Sequence, residues 1–179
     1  MMSKFVHLSE FINRKAVCGS LTADSRILVV GTIAAGKSHL ISSMNEQGDA
    51  IFVHSIDGYR VEHDASTVSG EANARNSFLS ACSEQNGIFE FTGGGPLFND
   101  VKLIAFLRPF DFVIRVHAPT EICLQRISVR TSWPPYPNDV MPDSNLIEDI
   151  SHELDENGFG IEVSEWIGQD LIHVAGVGQ

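Results

Sequence analysis

The stretch that most constrains the fold is Ile27-Leu28-Val29-Val30, which runs without a break into Gly31-Thr32-Ile33-Ala34-Ala35-Gly36-Lys37-Ser38. Four consecutive apolar residues fit a parallel strand buried on both faces. Beyond the octet, Leu40, Ile41 and Met44 recur at helical spacing. The octet therefore sits on a strand-to-helix turn, the building unit of an α/β sheet.

Gly-x-x-x-x-Gly-Lys-Ser at such a turn is the Walker A phosphate loop. Glycines let the backbone wrap a phosphate without a Cβ clash, and successive amides with the helix N-terminus make a nest of N–H donors. Lys37 would carry its ammonium to the β- and γ-phosphates, and Ser38 would place its hydroxyl on Mg2+. Background residue frequencies give roughly half a percent for a chance match in a chain this long. The expected nucleotide-binding set is Gly31, Thr32, Ile33, Ala34, Ala35, Gly36, Lys37, Ser38 and His39.

Composition sets the scale around that loop. At 179 residues and 43% hydrophobic content, one domain spanning 1–179 can bury a core without staples. Met1 to Val17 mixes polar and apolar residues, so neither a signal peptide nor a membrane span is expected, and the expected location is the cytoplasm. Cys18, Cys82 and Cys123 are irregularly spaced and read as reduced small hydrophobes. A net charge of −11 disfavours an extended nucleic-acid track. The seven histidines show no ligand spacing, so no protein-held histidine metal site is expected.

Along the chain, Phe5, Leu8, Phe11 and Ile12 suggest an amphipathic helix over Met2–Lys15. Ala50–Ser55 reads as a second strand, with Asp57-Gly58-Tyr59-Arg60 at its carboxyl end, where open α/β sheets bind ligands. Asp57 is the candidate general base; as Asp-Gly it could instead cap a helix or form a turn. Glu71–Cys82 reads as a helix, and residues 58–86 as a flap over an acceptor, with Arg60 and Arg75 on it. Gly87–Thr92 reads as strand three. Glu90 inside it is costly to bury unpaired, and Ser38 or a hydrated Mg2+ would satisfy it. Gly93-Gly94-Gly95 permits close backbone approach to a ligand. Val101–Leu107 reads as a short helix, Phe110–His117 as strand four, and a helix from Thr120 carries Arg126 and Arg130 four apart. The Pro- and aromatic-rich Thr131–Asn138 suits a lid within 130–144, followed by a helix over about 145–154 and strand five at Leu171–Val174.

Taken together these segments resemble the P-loop small kinases: nucleoside monophosphate kinases, shikimate kinase, zeta-toxin-like phosphotransferases and the kinase domain of polynucleotide kinases. Asp57-Gly58-Tyr59-Arg60 resembles an Asp-x-x-Arg element in which the acid faces the acceptor hydroxyl and the arginine orients the acceptor. Arg126-Ile127-Ser128-Val129-Arg130 is similar to the entry of an adenylate-kinase lid, which implies Arg126 on adenine and Arg130 on the transferred phosphate. Thr92–Gly95 resembles the shikimate-kinase acceptor loop, with Ser55 standing where that family has a second acid. The stretch after strand five resembles a backbone loop that contacts adenine. No Asn/Thr-Lys-x-Asp base-reading motif occurs, which disfavours a GTPase.

The expected fold is a three-layer P-loop NTPase domain with a five-stranded parallel sheet in order 2-3-1-4-5, helices on both faces and a lid. The expected activity is ATP- and Mg2+-dependent phosphoryl transfer to a small-molecule hydroxyl. Lys37, Asp57 and Arg130 are the catalytic candidates, Arg60, Arg75, Gly93, Gly94 and Gly95 the acceptor-binding ones, and Ser38 and Glu90 the metal ligands. The alternatives are a nucleotide kinase, in which a phosphate accepts, and a nucleotide-binding switch that turns over little.

Overall fold

A computed structural model of the protein describes residues 5–7, 21–47, 50–135 and 142–176. In chain order its strands are β1 (Phe5–His7), β2 (Arg26–Val30), β3 (Val53–Ser55), β4 (Gly87–Glu90), β5 (Phe112–His117), β6 (Glu165–Trp166) and β7 (Gln169–Ala175). The helices are α1 (Lys37–Gln47), α2 (Ile56–Glu62), α3 (Val68–Glu84), α4 (Pro96–Leu107), α5 (Thr120–Ser128) and α6 (Ser144–Leu154), the last passing into one π-helical turn at Asp155–Phe159.

Six strands lie in line as β1-β7-β5-β2-β4-β3, every pair parallel, and β6 pairs antiparallel with β7. Every residue of β2 is buried, as a central parallel strand requires. Its side chains alternate between two cores. Ile27 and Val29 pack with Leu40, Ile41 and Met44 of α1. Leu28 and Val30 pack on the opposite face with Phe78 of α3, and with Phe98 and Val101 of α4. Helices thus cover both faces.

Two expectations need correction. The sheet has more than five strands, because Phe5–His7, placed within the expected Met2–Lys15 helix, instead pairs with His173–Ala175. Its backbone finds partners far along the chain, which no local periodicity reveals. The short β6–β7 ribbon was also not anticipated. Its turn places Ile167 (φ 54°) and Gly168 (φ 74°) in the left-handed region that tight hairpins use. Residues 8–20 of the N-terminal segment, with Cys18, and residues 136–141 of the expected lid lie outside the described residues.

The segment expected as a flap, 58–86, falls on α2 and α3, and Thr67 caps α3 by accepting from the Gly70 amide. The helix after the triple glycine begins at Pro96 rather than Val101, with proline in the first turn where its missing N–H costs nothing. Among the described residues no helix is long and apolar enough to cross a membrane.

Candidate functional site

The carboxyl ends of β2, β3 and β4 bring two groups of side chains to one rim of the sheet. The first is the loop between β2 and α1. Ala34 (φ 60°) and Gly36 (φ 108°) both take left-handed backbone, which turns the chain into a cup. Among the described residues, no carbonyl receives the amide hydrogens of Ile33, Ala34, Gly36, Lys37 or Ser38. Folded chains rarely leave a run of half-buried backbone donors unspent. The cup is therefore a ready-made anion site.

Lys37 lies inside that cup. Its Nζ donates to the carbonyls of Gly31 (3.0 Å) and Thr32 (3.1 Å) and makes no ion pair among the described residues. Burial pushes its pKa below the ordinary lysine value. The charges of Glu90 and Asp57 act to raise it, and that of Arg130 to lower it further.

Ser38 Oγ donates to Glu90 Oε1 at 3.2 Å. Glu90 is 9% exposed at the end of β4, beside Val29 of β2 and Ser55 of β3. A hydroxyl and a carboxylate at the mouth of the cup are hard oxygen donors of the kind Mg2+ takes while keeping waters and phosphate oxygens as its other ligands. Among the described residues no three His, Cys, Asp or Glu side chains gather to hold a metal by themselves.

Arg126 reaches across from α5. It donates to Ala34 O (2.9 Å) and to Gly176 O (2.7 Å), joining the loop to the end of β7. Arg130 lies just past α5, exposed, with Nε on Ser132 O (2.9 Å) and its guanidinium 4.4 Å from the centre of the Trp133 ring. His39 is exposed in the first turn of α1.

The second group stands on α2 and α3. Asp57 opens α2, with its side chain 41% exposed, and accepts from Arg60 Nη1 at 3.1 Å. Arg60 also grips Glu71 through two hydrogen bonds, Nε to Oε2 (2.8 Å) and Nη2 to Oε1 (2.9 Å). Arg75 Nε donates to Glu71 Oε1 at 2.8 Å. Asp57, Arg60, Glu71 and Arg75 thus form one chain of alternating charge. Glu71, its hub, was not singled out from the sequence. Its four-residue spacing from Arg75 was the available signal.

The triple glycine faces the protein more than a ligand. A Cβ on Gly94 would lie 2.6 Å from the Glu153 carboxylate of α6, and Glu153 Oε1 accepts from the Gly95 amide at 2.7 Å. Asn157 Nδ2 donates to Gly93 O at 3.2 Å. The close approach that glycine permits here is made with α6 and the π-helical turn, and only the Cα of Gly95 faces open space.

The structure therefore gathers Lys37, Ser38, Glu90 and Arg126 at the loop, and Asp57, Arg60 and Arg75 beside it. Comparison with protein-family models and with curated protein sequences yields no match.

Proposed function

We propose that the protein is an ATP- and Mg2+-dependent phosphotransferase of the P-loop kinase type that acts on a small hydroxyl-bearing acceptor. The observation that carries this reading is the set of unspent amides of Ile33, Ala34, Gly36, Lys37 and Ser38 curled around the Lys37 ammonium. Five donors and a cation with no carboxylate partner among the described residues suit a polyphosphate.

In this reading Lys37 and the loop amides hold the β- and γ-phosphates of ATP. Mg2+, held by Ser38 and Glu90 directly or through water, would neutralise phosphate charge. Asp57 takes the acceptor proton, and Arg60 fixes the orientation of its carboxylate. The acceptor oxygen attacks the γ-phosphorus and forms the new P–O bond. The bond from that phosphorus to the β,γ-bridging oxygen breaks, and ADP leaves with the electron pair. The acceptor proton passes to Asp57 late, because the transition state is loose. In this reading Arg130, whose charge bears on Lys37, would turn from Trp133 to absorb charge on the transferring group.

ATP consumption against a panel of small alcohols and nucleotides tests this. Lys37→Ala should abolish turnover. Asp57→Asn should lower kcat on the order of 10^2 to 10^4 fold while ATP affinity stays within about twofold. Undiminished kcat in Asp57→Asn would point to a phosphate acceptor. Tight ATP binding with no acceptor turned over would leave a nucleotide-binding switch.

A further inference from the structure

We propose that two copies of this chain pair through the outer face of the carboxyl-terminal half of α4, helix against antiparallel helix about a two-fold axis near Leu103. The inference is independent of the kinase reading.

α4 is apolar on both of its sides. Leu97, Phe98, Val101 and Ala105 are buried in the core beneath it. The unbroken run Leu103-Ile104-Ala105-Phe106-Leu107 then carries apolar residues round to the solvent side. Leu103, Phe106 and Leu107 are 63%, 62% and 88% exposed, and their spacing of three and four sets them on one stripe. A helix that is apolar all round normally lies inside something, yet among the described residues nothing covers this stripe.

Three side chains exposed to this degree offer on the order of 400 Å² of apolar surface, the scale at which a patch marks an interaction site. Each partner in a standard interface buries roughly 800 Å², a little over half of it apolar. One stripe is therefore enough for the apolar centre. Asn99 and Asp100, exposed one turn earlier, and Arg108 at the helix end supply a polar rim.

The charges favour a second copy as the occupant. Arg108 spends its nitrogens on Ser83 O (3.0 Å), Gln85 O (2.9 Å) and Asn86 Oδ1 (2.6 Å), and among the described residues no carboxylate neutralises it. In an antiparallel pair centred on Leu103, the end of each helix that carries Asp100 meets the end of the other that carries Arg108. The surface is then its own complement, as a two-fold interface requires. A lipid surface suits it less, because a helix lying on a membrane sets cations along its polar face, whereas α4 has Lys102 alone and the chain carries a net charge of −11.

The stripe also lies away from the 31–38 loop. α4 starts beyond the carboxyl end of β4 and stops shortly before the amino end of β5, so its last turns sit at the opposite edge of the sheet from that loop. Pairing there leaves the loop open.

Sedimentation velocity of the full chain over a wide range of concentration tests the proposal. A species of twice the 19.6 kDa chain mass should form and give way to monomer on dilution. Leu103→Glu and Phe106→Glu should each raise the dissociation constant by about 30-fold or more, the loss expected at the centre of an interface. Both side chains meet solvent in the single chain, so the variants should keep the parent's circular dichroism. The parent's melting temperature should rise with protein concentration and theirs should not. Asp100→Arg should weaken the dimer by about tenfold, through like charge against Arg108. Val129→Glu, at a position 75% exposed just past α5, should leave it intact.

A monomer at every concentration overturns the proposal. So does a dimer that Leu103→Glu leaves intact, that Asp100→Arg leaves as tight as the parent, or that Val129→Glu breaks as readily. A monomer that binds neutral lipid vesicles and loses that binding in Phe106→Glu also overturns it and gives the stripe to a membrane.

Discussion

Glu71 shows how a single carboxylate can organise a site it does not itself serve. Burial works to raise its pKa, but the hydrogen bonds and charges of Arg60 and Arg75 outweigh that and hold it below the ordinary value of 4.5. A carboxyl with a lowered folded pKa contributes stability that is fully present above the unfolded value and is lost as pH falls through the folded one. Glu71→Gln puts an amide against two guanidinium groups and removes the anion that they share, although Arg60 keeps Asp57. Breaking a buried pair from one side costs about 3 kcal/mol or more at neutral pH. Urea unfolding of the variant should show that loss at pH 7, and the gap to the parent protein should narrow below pH 4.5. A gap unchanged by pH would mean that the carboxylate's charge contributes nothing.

At the scale of elements, the pairing of β5 with β7 buries a polar cluster opposite the α1 face. His173 Nε2 donates to Val163 O at 2.8 Å, so in the neutral ring Nδ1 is an acceptor, and His117 Nε2 must donate to it across 2.7 Å. Arg115 lies beside them, bonded to Asp155 and Ser151. Burial, then Arg115 and then His173 pull His117 down to about 3, and burial lowers His173 too. Both rings stay neutral in the folded chain. The contribution of His117 is complete above the ordinary value of 6.5 and is lost as pH falls from there toward 3, by at most about 1.4 kcal/mol per pH unit. His117→Gln keeps a donor for His173 but cannot titrate. Its stability measured between pH 3 and 6.5 should fall less steeply than that of the parent, and an identical slope would remove His117 as its source.

The elements also divide by how far their signals reach along the chain. The β2–loop–α1 unit, the Ser38–Glu90 pair and the side of the sheet carrying Asp57 follow from local runs and from one buried acid that needed a partner. β1 was hidden because a three-residue strand inside a helix-like spacing declares itself only through β7, more than 160 residues away. The Arg60–Glu71 grip spans two helices and the packing of Gly93-Gly94-Gly95 on α6 spans two distant segments, so neither was legible before the fold.

Across the whole molecule, the 31–38 loop is tied to the last strand. The Gly176 amide donates to His117 O at 2.7 Å, and a Cβ on Gly176 would lie 2.1 Å from Ala35 O, so the strand end and the loop touch backbone to backbone. Arg126 closes the contact by donating to Ala34 O and Gly176 O together. Its resemblance-based role on adenine and this tether make different predictions. A tether acts in the absence of nucleotide: Arg126→Ala strands two carbonyls and should cost on the order of 2 kcal/mol in the nucleotide-free protein. Arg126→Lys should recover about half, because one ammonium does not span both oxygens in the geometry of a guanidinium. A residue that only stacks on a base would leave nucleotide-free stability untouched and change only the increment that ATP adds. Thermal unfolding of the three proteins with and without saturating ATP separates the two roles. An unchanged melting temperature for nucleotide-free Arg126→Ala would remove the tether and leave only a contact with the nucleotide.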